Sequence, residues 1–181
     1  MEGYGAGVAQ WVAEGRVDLA VSYIPLSQVQ HLIDGETLLD DEMVLIGRPD
    51  RIAAHGLGDT IAFRGLCGLP LILPTLQNGQ RRWLDKAARE LGFAFDLTLE
   101  IDSLSATLDA VALGHGFTIL PRRAVLADLE QRNLTCAAIT DPHVPAQLTL
   151  FTARGRATSL VAQQLIRLIK AQVTELALQP A

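Results

Sequence analysis

The side chains best suited to meeting a small ligand gather in two stretches, Thr75-Leu76-Gln77-Asn78 and Ser103-Leu104-Ser105. Each lies near a short apolar run and opens a segment of helical periodicity, so each marks a helix start. A helix start presents N–H groups with no intrahelical acceptor, together with the positive end of the helix dipole. That combination suits a carboxylate or another small anion. Thr75, Asn78 and Ser103 also fit the simpler task of capping their helices, and the sequence leaves both uses open.

Other chemistries find less support. Gly3-Tyr4-Gly5-Ala6-Gly7 is similar to a dinucleotide loop, but its third glycine is misplaced and no strand precedes it, so no cofactor is expected. No Gly-x-Ser-x-Gly elbow occurs. His31, His55, His115 and His143 are scattered without the spacing that would hold zinc, and they read as loop or surface residues. Cys67 and Cys136 are far apart and read as buried free thiols. The acidic run Asp40-Asp41-Glu42 reads as a solvated turn or bulge. Arg81, Arg82, Lys86 and Arg89 make one helix basic, which reads as a solvated face with some capacity to attract an anion or a partner.

The 181 residues carry a net charge of −5, which disfavours a nucleic-acid surface. With 49% apolar and 19% charged residues, the chain can bury a substantial core. Its apolar runs stop well short of the roughly 18 residues that span a bilayer. The start of the chain lacks the basic and apolar regions of an export signal, so a cytoplasmic location is expected, without membrane contact.

Short apolar runs alternate with helical periodicity, the pattern of an α/β protein with mostly parallel strands. Strands are predicted at Val17–Val21, Glu36–Gly47, Pro70–Pro74, Leu97–Ile101, Phe117–Leu120, Leu134–Ile139 and Gln147–Thr152. Helices are predicted before Gly15, from Asp59 to Arg64, from Asn78 to Gly92, from Ser103 to Gly114, after Pro121 and from Thr158 or Ser159 onward. In the Asn78 helix Trp83, Leu84, Ala87, Ala88 and Leu91 form the apolar stripe, and Asp85 and Arg89 form an i,i+4 pair. The last helix carries Val161, Leu165, Leu168, Ile169, Val173 and Leu176 on one side. Two lobes follow from this order, one of residues 1–68 and 140–181 and the other of residues 69–139, joined by two crossing segments.

Several of these segments carry a resemblance. Trp11-Val12-Ala13-Glu14-Gly15-Arg16-Val17-Asp18-Leu19-Ala20-Val21 resembles the L-x-x-G-x-x-D-x-A-I segment in the effector-binding domain of LysR-type transcriptional regulators. The stretch from Asp102 through Val111-Ala112-Leu113-Gly114-His115-Gly116-Phe117-Thr118-Ile119-Leu120-Pro121 resembles that family's V-x-x-G-x-G-[IV]-x-x-[LV]-P segment. Glu36-Thr37-Leu38-Leu39 and Leu45-Ile46-Gly47 fit its first crossing region, and the Ser103 segment is most similar to the nitrogen-assimilation-control branch.

The resemblance implies a periplasmic-binding-protein-like fold of type 2, with two Rossmann-like lobes and a cleft for a small-molecule effector. It implies that Thr75, Leu76 and Gln77, Ser103, Leu104 and Ser105, Phe117 and Thr118, and Ser22 and Tyr23 line that cleft. It also implies a regulator that contacts DNA through a separate N-terminal winged helix-turn-helix and assembles as a dimer or tetramer. Family members carry further elements before the position matched by Glu2, so the chain is read as an N-terminally truncated member. A solute-binding protein of similar fold is the alternative. An enzyme is not expected, since no nucleophile, acid–base pair or metal set appears.

Overall fold

The computed structural model describes residues 5–24, 30–31, 33–156 and 158–178. Of the glycine-rich start, Gly3 and Tyr4 lie outside the described residues, and helix α1 (Gly5–Ala13) takes up the rest. The chain divides into two compact units, Met1–Asp41 with Ala146–Ala181, and Glu42–Pro145. These limits differ from the expected 68/69 and 139/140. Backbone pairing explains the difference, because residues 42–68 ladder onto the middle block rather than onto the N-terminal residues.

The second unit is built on the run Met43-Val44-Leu45-Ile46, every residue of which is buried. A strand apolar on both faces belongs inside a sheet. This run ends β2 (Ile33–Gly47), which pairs antiparallel with β6 (Thr118–Pro121) and with β7 (Thr135–Thr140). Strand β3 (Thr60–Ala62) lies parallel to β7 and leads into a 3-10 turn, Phe63–Leu66. Asp59 therefore opens a strand and not a helix, because pairing with β7 outweighs local helical preference. Arg48 to Asp50 does end β2, but Pro49 then starts a short helix, α2 (Pro49–Ala54), at the position where a helix tolerates proline.

Strands β4 (Pro70–Leu73) and β5 (Asp96–Glu100) run parallel. Between them lies α3 (Gly79–Glu90), and β5 is followed by α4 (Leu104–Ala112). Helix α5 (Arg122–Gln131) follows β6 directly. One core joins Val44, Ile46, Ile72, Leu108, Val111, Val125 and Leu129. A second cluster brings Phe63, Trp83, Phe93 and Phe95 ring to ring, with neighbouring centroids 5.6 to 6.4 Å apart. On α3, Leu84 and Ala88 are buried as expected, while Asp85 pairs with Arg81 one turn before it rather than with Arg89.

The first unit contains α1, β1 (Leu19–Tyr23), the opening half of β2, β8 (Pro145–Ala153) from Ala146 on, and α6 (Leu160–Leu178). Strand β1 pairs antiparallel with β8, from Leu19 opposite Thr152 to Tyr23 opposite Leu148. Ala9, Val12, Ile24, Ile33 and Phe151 form its core. On α6, Ala162 is buried, whereas Val161, Leu165 and Leu168 of the expected apolar side are exposed.

The acidic run is not a turn. Asp40, Asp41 and Glu42 lie within the uninterrupted β2 and accept hydrogen bonds from Gln147, Tyr23 and Arg122 respectively. Cys67 is exposed and not buried, because it directly follows the 3-10 turn, while Cys136 on β7 is partly buried; both are free thiols.

Candidate functional site

The candidate site starts from the carboxyl ends of β4 and β5, where ligands of open α/β sheets settle. Strand β4 is held on both sides. Its register with β5 runs from Pro70 opposite Asp96 to Leu73 opposite Glu100. On its other edge Phe117 accepts a bond from the Ile72 N–H at 2.7 Å and donates its own N–H to Pro70 at 2.8 Å. This approach requires Gly116, since a Cβ there would stand 2.4 Å from the Pro70 carbonyl oxygen.

In the loop leaving β4 every backbone carbonyl from Pro74 to Asn78 accepts a hydrogen bond. The Thr75 N–H donates to one carboxylate oxygen of Asp102 at 2.9 Å, and the Thr75 hydroxyl donates to the other at 2.8 Å. The Thr75 carbonyl accepts from the Asn78 N–H at 3.0 Å, closing a turn over Leu76 and Gln77. Asn78 then caps α3, its side-chain oxygen accepting from Gln80 and Arg81. Arg81 donates to the Pro74 carbonyl at 2.7 Å and to Glu100 at 3.0 Å, and it forks onto Asp85. Arg82 donates to the carbonyls of Leu76 and Gln77 at 2.8 and 2.9 Å. Arg81 is only 5% exposed, so the basic face of this helix is in part a buried bracket for the loop rather than a solvated surface.

The loop leaving β5 is shorter. The Ile101 N–H donates to the Leu73 carbonyl, and the Thr75–Asp102 contact fastens this loop to the first one. Ser103 caps α4 by accepting from the Ala106 N–H at 3.4 Å. Within α4 the N–H groups of Leu104 and Ser105 have no carbonyl one turn back. Among the described residues, the N–H groups of Leu76 and Gln77 make no hydrogen bond.

The expected site residues therefore fall into three sets. Thr75, Leu76, Gln77, Ser103, Leu104 and Ser105 lie on these two neighbouring loops and helix starts, with the Ser105 hydroxyl turned to accept from Arg132. Phe117, on the far edge of β4, and Thr118, which pairs with β2, are fully buried. The Phe117 ring meets His55 edge-on at 5.1 Å, and the Thr118 hydroxyl has no partner among the described residues. Ser22 and Tyr23 belong to the other unit, on β1, where the Tyr23 hydroxyl donates to Asp41 at 3.1 Å.

Asp102 and Arg81 are the two residues that reading the sequence missed. Arg81 was within reach, since it sits three and seven residues before Leu84 and Ala88, on the same helix face. Asp102 gave no such signal, because its partner lies 27 residues away.

Little points to acid–base chemistry. The hydrogen bond from Arg48 holds the Asp50 carboxyl below its ordinary range, and burial raises the Cys136 thiol, but these lie on α2 and β7 rather than on the two loops. Among the described residues, no group of three or more His, Cys, Asp or Glu is placed to hold a metal ion. No helix of the described residues is long and apolar enough to cross a membrane.

Comparison with known proteins gives a consistent picture. A family model described as the LysR substrate binding domain matches residues 1–174. The HTH-type transcriptional regulator BbuR of Bordetella bronchiseptica is 27% identical over 154 residues, which is 85% of this chain and 46% of that protein. The uncharacterized HTH-type transcriptional regulator YfeR of Shigella flexneri is 28% identical over 169 residues, 90% of this chain and 52% of that protein. The chain thus spans about half the length of the curated relatives it matches. Among solved structures, the effector binding domain of QuiR in complex with shikimate superposes with a TM-score of 0.77 at 16% identity, covering 96% of this chain and 79% of that one. The CcmR regulatory domain of Synechocystis PCC6803 in complex with 2-PG superposes with a TM-score of 0.76 at 18% identity, covering 94% and 80%.

Proposed function

The chain belongs to the LysR substrate binding domain family and has the periplasmic-binding-protein-like type 2 fold, and from that premise we propose that it senses a small metabolite for a cytoplasmic transcriptional regulator. The metabolite makes no bond and breaks none here. It favours one of two states of the domain and shifts DNA binding by its difference in affinity for them. DNA itself is read by a separate winged helix-turn-helix domain, in keeping with the net charge of −5 on this chain.

The observation that carries the reading is the Thr75–Asp102 contact, which sets the loops leaving two parallel strands side by side. The open N–H groups of Leu76, Gln77, Leu104 and Ser105 border this place and suit an anionic group of the effector. Ser103 adds a hydroxyl, and Phe117 acts by holding the far edge of β4, with Thr118 following it in β6.

The test is thermal unfolding against a panel of small carboxylates and phosphorylated acids, with shikimate and 2-PG included because structural neighbours bind them. At least one member is expected to raise the melting temperature. Ser103→Ala should weaken its binding by about tenfold, the worth of one hydrogen bond to a charged group, and Thr75→Ala should weaken it by releasing Asp102 and the loop it fastens. Equal affinity in both variants would move the site elsewhere.

We assign the contact between copies of the full-length protein to α6. Leu160, Val161 and Leu168 are 81%, 79% and 64% exposed there, more than isolated apolar residues need explaining. Light scattering on the chain should show a dimer that Leu168→Lys returns to monomer; a monomer throughout would remove α6 from that role.

A further inference from the structure

An ionised carboxylate accepts hydrogen bonds and donates none. The two donors that Thr75 offers, its N–H and its hydroxyl, both end on the same carboxylate, at 2.9 and 2.8 Å. Asp102 thus stands where an anionic effector group would otherwise sit if Thr75 received it directly. The Thr75 hydroxyl hydrogen has one direction only, toward Asp102, and a second anion at this spot would meet a unit of like charge at close range. Asp102 uses two of its roughly four acceptor positions on Thr75 and is exposed, so the remaining ones face outward. What they can receive is a hydroxyl or an ammonium group.

Resting on the effector-sensing role proposed above, we propose that Asp102 is a specificity-determining residue: it occupies the anion-accepting donors of Thr75 and reserves this place for an effector group that donates hydrogen bonds. An effector of this domain then carries two kinds of group. A hydroxyl or ammonium lies against Asp102, and any anionic group is confined to the open N–H groups of Leu76, Gln77, Leu104 and Ser105. Simple anions without a donor are turned away from Thr75. Asp102→Asn removes the charge and leaves one accepting oxygen where the carboxylate offers Thr75 two, so it releases one Thr75 donor without opening a gap.

The experiment titrates inorganic sulfate into the whole chain, followed by the amide resonance of Thr75 and by the melting temperature. Wild type should show no saturable shift at Thr75. In Asp102→Asn and in Asp102→Ala, sulfate should bind with at least tenfold higher affinity, with the largest shift at Thr75. Adding Thr75→Val to either variant should remove the part of the gain that the hydroxyl supplies. Asp102→Asn is the near-isosteric choice that keeps the test open if the alanine variant does not fold. Saturable sulfate binding at Thr75 in wild type, or no gain in a folded Asp102→Asn, overturns the proposal. A metabolite panel that leaves the wild-type melting temperature unmoved strikes the effector-sensing role instead, and that measurement is separate from the sulfate result.

Discussion

The loops that leave β4 and β5 start from neighbouring strands and end on helix starts, yet they are held in opposite ways. The Thr75 loop is fixed from within its own segment, by Asn78, Arg81 and Arg82. The Ser103 loop has few bonds of its own. It takes its position from Ile101 on Leu73, from Asp102 on Thr75 and from one long cap bond of 3.4 Å. One loop is therefore shaped before any ligand arrives, and the other is shaped by what it is attached to. In a sensing domain the second kind can respond to a ligand at smaller cost, because fewer bonds change with it.

Three substitutions test this contrast, and their effects should fall in a definite order. Arg81→Met removes donors to Pro74 and Glu100 and strands a largely buried Asp85, so it should lower stability by about 2–4 kcal/mol, read from the urea midpoint at constant slope. A loss under about 1 kcal/mol would show that the bracket does not hold the loop. Asn78→Ala removes a cap with bonds of 2.8 and 3.2 Å and should cost about 1 kcal/mol. Ser103→Ala removes only the long cap bond and should cost about 0.5 kcal/mol or less. If Ser103→Ala matched Asn78→Ala, the two helix starts would be equally anchored and the contrast would collapse.

The legible parts of the molecule are those set by neighbours in sequence. Asn78 and Ser103 cap α3 and α4 where expected, and the strand at Pro70 lies where its apolar run ends. The short strand that rests on distant pairing alone, without an apolar run of its own, was not legible. Thr60–Ala62 is a strand because β7 lies beside it, and nothing in Asp59-Thr60 signals that partner. The same division runs through the candidate site. Thr75 and Ser103 stand out in the sequence by their place after strands, whereas Asp102 makes its contact with a residue 27 positions earlier. On α6 the periodicity marked an apolar stripe correctly but could not say that Val161, Leu165 and Leu168 remain uncovered within one chain. Periodicity tells which residues share a face, and only the fold tells what meets it.

Helix α3 carries four cations, and most of their charge is turned back on the molecule. Arg81 ends on two carboxylates and a carbonyl, Arg82 on the carbonyls of its own loop, and Lys86 lies beside Glu90. Of the four charges, those of Arg81 and Lys86 are therefore matched by carboxylates, while Arg82 spends its hydrogen bonds on shaping the loop. Raising the ionic strength should leave the Pro74 end of the loop in place, since its shortest bond, from Arg81 to Pro74 at 2.7 Å, sits on a side chain that mobile ions cannot reach.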